Sequence, residues 1–115
     1  MRSTGQSDPL THQPIKGRQR GGGVRFGEME RDALIAHGTA SLLRDRLLLS
    51  SDADKALVCR WCGSLLAMQE GAETSCRLCH SSTPSTVTIP YVFRYLLAEL
   101  AAVNLKVKLR LAPAY

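Results

Sequence analysis

Apolar residues recur at helical spacing in the first half of the chain. From Glu28 onward they step by four and three, the period of one face of an α-helix: Met29, Ala33, Ala36, Ala40, Leu43 and Leu47. Gly27 is an acceptable N-cap, and Glu28 and Glu30 lie where the helix dipole favours negative charge. The pattern predicts an amphipathic helix over residues 28–49. Gly38 weakens it by about 1 kcal/mol relative to alanine, and a glycine there suggests close packing against a neighbour.

The end of the chain carries a second helix and then a different period. Pro90 suits the first position of a helix, and Arg94 and Glu99 are the charged residues between Tyr91 and Val103. A helix so apolar needs cover on most faces. After Asn104, a plausible cap, leucine and valine alternate with lysine and arginine through residues 105–111. Period two predicts a strand with one apolar and one basic face.

Shorter patterns fill the rest of the chain. Residues 56–58, 64–68 and 86–89 are strand candidates, and Gln69–Glu70–Gly71–Ala72 predicts a turn. Residues 1–27 contain prolines and glycines that break helices and show no alternation, so they predict an irregular segment. The predicted fold class is small α+β: an irregular basic loop (1–27), an amphipathic helix (28–49), a ribbon of short strands that holds the four cysteines of the chain (56–89), and an apolar docking helix with a C-terminal strand (90–115).

Four cysteines interrupt this pattern, and they are all the cysteines of the chain: Cys59, Cys62, Cys76 and Cys79. Each pair has two residues between its members, and thirteen residues separate the pairs. Four thiolates at this spacing suit one structural Zn²⁺ ion. His80 adjoins Cys79, but four sulfurs already fill the coordination shell. Disulfides and redox-active thiols are the alternatives, and the redox motif requires a βαβ context that neither pair has.

Charge is concentrated near the start of the chain. The net charge is +5, and residues 1–27 hold five of the cations against the single acid Asp8. Lys16, Arg18 and Arg20 lie among glycines, which is typical either of a flexible linker or of a loop that approaches nucleic-acid phosphates. Arg25 has two interpretations, phosphate contact or ion pairing with the acidic residues at the helix start. No apolar run approaches the roughly 20 residues that cross a bilayer, so no membrane partner is expected.

Two stretches resemble a known family. HQPIKGRQRGGGVRFGEMERDALIAHGTA (residues 12–40), and within it RFGEMERDALIAHG (25–38), closely resembles the C-terminal part of the second-largest subunit of multisubunit DNA-directed RNA polymerases. Eukaryotic and archaeal members also carry a four-cysteine zinc ribbon after this helix, matching Cys59, Cys62, Cys76 and Cys79. IPYVFRYLLAELAAVNLKVKL (89–109) is most similar to the RNA polymerase I form. The resemblance covers nearly all of residues 9–111 but only the last small part of the family's subunit.

The resemblance implies a place in a larger enzyme. In the family this region packs against the largest subunit at the base of the clamp, and its basic loop lies beside the DNA–RNA hybrid. Lys16, Arg18, Arg20 and Arg25 are then the candidates for contact with nucleic acid. The Mg²⁺ of the nucleotidyltransferase reaction belongs to the largest subunit, so no catalytic residue is expected here and the fragment alone should be inactive. The implied role is transcription of ribosomal RNA precursor in the nucleus, in the nucleolus, with the largest and other polymerase subunits and the DNA template as partners.

An alternative hypothesis is an autonomous zinc-ribbon adaptor that folds alone and binds nucleic acid or protein. The apolar helix beginning at Tyr91 argues against it, because a chain of 115 residues can hardly cover that helix. The sequence therefore favours the end of a larger chain or a subunit of an assembly.

Overall fold

The computed structural model describes residues 2–68 and 74–112, so the turn predicted at Gln69–Glu70–Gly71–Ala72 lies outside the described residues. The elements follow the chain in this order: a 3₁₀ turn Arg18–Arg20, α1 Glu28–Ala36, α2 Ala40–Arg44, a π-helical turn Asp45–Leu49, β1 Ala53–Cys59, β2 Pro84–Pro90 and α3 Tyr91–Ala102. β1 and β2 form a two-stranded antiparallel sheet. A small α+β fold, as predicted, is confirmed.

The chain divides into two compact units, which are described separately. The first unit comprises Met1–Ala53 and Pro90–Val92, and the second comprises Asp54–Ile89 and Phe93–Tyr115. No helix within the described ranges combines the length and apolarity that a bilayer crossing requires.

The helix predicted over residues 28–49 is broken in the first unit. α1 ends at Ala36, and Gly38 adopts a left-handed conformation with φ of 67°. The Thr39 hydroxyl and amide both donate to the Leu34 carbonyl, which closes the end of α1. A Cβ built on Gly38 would meet nothing within 4 Å. The suggestion of close packing at Gly38 was therefore wrong: the glycine supplies a conformation that other residues rarely adopt.

The helical segments of the first unit begin with half of a capping box and end in a π-helical turn. The Gly27 amide donates to Glu30 Oε2 at 3.0 Å, the half of a capping box that needs no side chain at the N-cap. After α2, the Ser50 amide donates to the Asp45 carbonyl at 2.8 Å, closing the wider π-helical turn. The predicted apolar stripe does not reach a core here, since Met29 is 83% exposed and α1 contains no buried residue.

The basic loop is more ordered than the irregular segment predicted from its composition. Single bridges join Ser7 to Pro14 and Lys16 to Gly23. The Gly22 and Gly23 amides donate to the Gly17 and Ile15 carbonyls at 2.9 and 3.0 Å. Glycine is required at position 22, because a Cβ there would overlap the Ile15 carbonyl. The glycines therefore let this loop close on itself.

A buried carboxylate in the first unit caps the start of α3. Asp52 accepts the Val92 amide at its Oδ2 (3.1 Å) and the Tyr91 amide at its carbonyl (2.8 Å). These are two of the amides that a helix start leaves without an intrahelical acceptor. The Tyr91 ring also stacks on His12, with centroids 3.6 Å apart and an interplanar angle of 3°. Residues 8–13 are thus tied to the capped helix start.

The second unit has a small apolar core beside its cysteine cluster. Buried Ala56, Val58, Leu65 and Leu97 form the core, and half-buried Val87, Ile89, Phe93, Leu109 and Leu111 pack against it. β1 and β2 confirm the strands predicted at 56–58 and 86–89. The candidate at 64–68 makes only a single bridge, between Met68 and Cys76. α3 confirms the predicted apolar helix, and Asn104 follows it in a left-handed conformation, φ 66°, as the predicted cap.

The C-terminal strand predicted over residues 105–111 was wrong. In the described residues this segment belongs to no helix and no sheet. The Leu105 amide donates to the Leu100 carbonyl of α3 at 2.9 Å, and the Leu109 amide donates to the Gly63 carbonyl at 2.8 Å. Alternation correctly indicated which side chains face the core, since Leu109 and Leu111 pack there. It could not indicate whether a neighbouring backbone is present to complete a ladder.

Two glycines in the left-handed conformation provide a matched test of how much the close contact between Gly63 and Leu109 contributes to stability. Gly63 and Gly38 have φ of 70° and 67°, but a Cβ on Gly63 would overlap the Leu109 backbone whereas one on Gly38 meets open space. We expect Gly38→Ala to cost about 1–2 kcal/mol through backbone strain, and Gly63→Ala to cost distinctly more. Urea denaturation of the metal-loaded chain measures both. Equal losses would mean that the close approach of Leu109 contributes nothing to stability.

Candidate metal centre and basic groove

The four cysteines converge on one point in the second unit. All four are free thiols, and their sulfur atoms lie within 4.8 Å of one another. Cys59 Sγ is 3.5 Å from Cys79 Sγ, and Cys62 Sγ is 3.5 Å from Cys76 Sγ. A zinc–sulfur distance of about 2.3 Å in a tetrahedron places the sulfurs about 3.8 Å apart. The predicted ligands are therefore brought together, and they could hold a metal ion of the size of zinc.

The two cysteine pairs sit on equivalent turns. The Cys59 amide donates to the Ser64 carbonyl (3.1 Å), and the Cys76 amide to the Ser81 carbonyl (3.0 Å). In each turn the residue after the second cysteine donates to the carbonyl of the first, at 2.9 Å. That residue is Gly63 in one turn and His80 in the other, and both have positive φ. We call the two turns the first knuckle (59–64) and the second knuckle (76–81).

Backbone amides of each knuckle point at its sulfurs. The amides of Cys62 and then Trp61 lower the pKa of Cys59 despite its burial. Burial opposes ionisation of Cys76, but the amides of Cys79 and Leu78 lower the pKa of that thiol to about 7. In each pair the backbone amides thus favour the thiolate of the first cysteine, the form that binds metal.

The second cysteine of each pair is shifted in the opposite direction. Burial, the largest effect, raises the pKa of Cys62. The Ser81 amide favours the thiolate of Cys79, but burial and the neighbouring sulfurs outweigh it and raise the pKa of Cys79 to about 12. Four thiolates this close repel one another, so the set retains protons until a cation replaces them. The arrangement is that of a closed metal site.

None of the described histidines belongs to the group of four possible metal ligands. His80 is exposed on the second knuckle and lies outside the group of four cysteines in the described residues. Trp61 is 82% exposed between two of the ligands. His37 is exposed at the C-cap of α1.

The predicted nucleic-acid residues fall into two groups in the first unit. Lys16 and Arg25 line one groove of about 380 Å³, together with both polar and apolar side chains. Arg18 and Arg20 lie on the exposed 3₁₀ turn and are not part of that lining. The structure thus brings together two of the four predicted cations.

A third cation, Arg46, lines the same groove, and sequence analysis missed it. Arg46 belongs to the π-helical turn and lies 3.7 Å from the Asp45 carboxylate. In the sequence, Arg46 is one of several charged residues in the helix predicted over residues 28–49. Only the folding of the π-helical turn beside the loop at Lys16 reveals it. We call the surface formed by Lys16, Arg25 and Arg46 the basic groove.

The ion-pair alternative for Arg25 is not realised. Within residues 2–68 and 74–112, the ion pairs join Arg31 to Asp32, Arg46 to Asp45 and Arg94 to Asp54. Glu30 instead accepts the Gly27 amide, so the guanidinium of Arg25 remains available at the groove.

Comparison with known proteins gives one consistent result. The family model for RNA polymerase Rpb2, domain 7, matches residues 22–112. The chain is 53% identical to DNA-directed RNA polymerase I subunit RPA2 of Homo sapiens, over 95% of this chain and 11% of the relative. It is 52% identical to DNA-directed RNA polymerase I subunit 2 of Arabidopsis thaliana (97% and 11%) and 48% identical to the RPA2 homolog of Caenorhabditis elegans (95% and 12%). The chain therefore spans about a ninth of the length of these relatives.

Removing the metal ligands should unfold the second unit. We expect a chelator, or Cys76→Ser, to abolish the ordered structure of residues 56–89, because structural zinc supplies about 10–16 kcal/mol of folding free energy. Circular dichroism before and after chelation measures this, and restoring Zn²⁺ should restore the spectrum. Ser82→Ala, an exposed change on the same segment, serves as the control. An unchanged spectrum in the presence of chelator would contradict the structural role of the metal.

Proposed function

We propose, because the chain belongs to the RNA polymerase Rpb2 domain 7 family, that it is the C-terminal part of the second-largest subunit of DNA-directed RNA polymerase I. The observation that carries this proposal is identity near 50% over almost the whole chain to proteins named as that subunit. The activity to which it contributes is nucleotidyl transfer in transcription of ribosomal RNA precursor. Its partners are the largest subunit, the other polymerase subunits and the DNA template, and its location is the nucleus, in the nucleolus.

The metal in this proposal is one structural Zn²⁺ ion. Cys59, Cys62, Cys76 and Cys79 would hold it, and four sulfur ligands leave no position for a water molecule or substrate. The ion therefore stabilises the fold and takes no part in phosphoryl chemistry. The Mg²⁺ ions that catalyse nucleotidyl transfer would belong to the largest subunit, and no residue of this chain is assigned a catalytic role.

The first unit would contact the DNA–RNA hybrid from the base of the clamp. Lys16 and Arg25 in the basic groove, with Arg18 and Arg20 on the neighbouring turn, supply cations that neutralise phosphates without reading the base sequence. The closed loop supports this role, since backbone hydrogen bonds hold residues 15–23 in one shape. Arg46 lines the same groove from a separate segment, but Asp45 at 3.7 Å offsets its charge, so the expected phosphate contacts rest on the other four cations.

A chimera tests the assignment to RNA polymerase I. The segment of human RPA2 that aligns with this chain is replaced by this chain, and copurification with the polymerase and synthesis of precursor ribosomal RNA are measured. We expect assembly and activity, and loss of both when Cys59 and Cys76 are serine. Failure of the chimera to enter the polymerase, while unmodified RPA2 enters, would argue for another role such as an independent zinc adaptor.

The phosphate contacts should appear in the salt dependence of binding. If Lys16, Arg18, Arg20 and Arg25 all neutralise phosphates, log K for a DNA–RNA hybrid falls with log[salt] with a slope of about −3.6. Each glutamine substitution should reduce that slope by about 0.9 in magnitude. Fluorescence anisotropy of a labelled hybrid at several salt concentrations gives the slope.

The control for this measurement is Arg31→Gln on α1, whose guanidinium is already paired with Asp32 at 2.9 Å. It should leave the slope unchanged. A slope near zero for the unmodified chain, or an equal effect of Arg31→Gln, would refute the phosphate contacts.

A further inference from the structure

The second unit carries an apolar groove beside the metal centre that the proposed function does not use. Its volume is about 490 Å³. Buried Leu65 and Leu97 form part of its lining, and Leu66, Leu78, Leu105 and Val107 line it while remaining 38–56% exposed. Four large apolar side chains that stay this exposed around one concavity are typical of a binding surface.

The groove continues the apolar core. Leu105, Val107, Leu109 and Leu111 occupy alternate positions of the C-terminal segment. Leu109 and Leu111 pack against the core cluster, whereas Leu105 and Val107 line the groove. The described part of the chain covers half of these side chains and leaves the other half open.

The charges at the groove all have one sign. Arg77 on the second knuckle and Lys106 on the C-terminal segment line it, and the lining contains no carboxylate among the described residues. Neither cation forms an ion pair within residues 2–68 and 74–112. A ligand that covers the groove therefore gains most if it places apolar side chains on the leucines and carboxylates at the two cations.

We propose that this groove binds an acidic amphipathic segment of another polypeptide, with leucine-like side chains on one face and carboxylates beside them. The apolar lining favours a peptide over nucleic acid, because phosphates require solvent or cations over their whole length. This surface is distinct from the basic groove of the first unit, where three cations lie among both polar and apolar side chains.

A synthetic peptide tests the proposal on the full chain loaded with zinc. The probe is a peptide of about 14 residues with leucine at helical spacing and glutamate or alanine elsewhere. We expect binding by fluorescence anisotropy, with ¹⁵N shifts at Leu66, Leu78 and Val107. The double variant Arg77→Glu, Lys106→Glu should bind at least about tenfold more weakly. A probe with lysine in place of glutamate should prefer that variant.

The two knuckles supply the control. Arg60 occupies in the first knuckle the place of Arg77 in the second, and Lys108 is the next basic residue after Lys106; neither lines the groove. Arg60→Glu with Lys108→Glu makes the same change in net charge and should leave binding within about twofold. Equal losses in both double variants would reduce the effect to general charge attraction and overturn the proposal.

Three further results would overturn it. They are no binding of the acidic peptide by a folded chain, shifts at the groove residues caused by a single-stranded oligonucleotide instead, and concentration-dependent dimerisation that covers the groove with a second copy. Leu78→Gln removes an apolar side chain without altering charge, and it should also weaken binding of the peptide. Binding of the DNA–RNA hybrid, measured on the same samples, depends on the first unit. A groove that binds no peptide would therefore not contradict the proposed function.

Discussion

The four thiols impose the constraint on which the second unit depends. β1 ends at Cys59, and the Arg60 amide donates to the Thr83 carbonyl just before β2 begins. Among the described residues of this unit, the buried apolar core is Ala56, Val58, Leu65 and Leu97, with Ala67 beside the cysteines, which is a small core to offset the entropy of ordering the unit. Sulfurs within 4.8 Å of one another could hold a cation that makes up this deficit. A metal ion bound there would couple folding of the sheet and the knuckles to neutralisation of the thiolates.

The features that sequence analysis predicted are those set by local chemistry. Cysteine spacing identified the four thiols that lie together, apolar composition identified α3, and short apolar or β-branched runs identified β1 and β2. The basic loop was identified by composition, and its contact with nucleic acid stays a prediction. In each case, the residue types at neighbouring positions in the chain are enough to predict the feature.

The errors and omissions arose at a glycine whose conformation the periodic pattern does not specify, and at positions where distant segments decide the outcome. Gly38 breaks the predicted helix through its own left-handed conformation, yet composition gave no indication whether it would adopt one. The alternation of residues 105–111 predicted faces correctly but not a strand, because a ladder also needs a free edge beside it. Arg46 joined Lys16 and Arg25 through a π-helical turn whose register the helical period does not predict. Buried Asp52 likewise caps a helix that begins 39 positions later.

The surfaces left open differ in chemistry between the two units, and this difference separates their proposed roles. The basic groove offers cations among polar and apolar side chains, beside a loop held by backbone hydrogen bonds. These properties suit phosphates. The second unit offers leucines beside Arg77 and Lys106, which suit a protein segment with carboxylates. Because the chain spans about a ninth of its relatives' length, apolar side chains such as Met29 need not find cover within it. A metal ion held by the four cysteines would make this division possible, because it would stabilise the second unit without a large core and leave leucine side chains open to a partner.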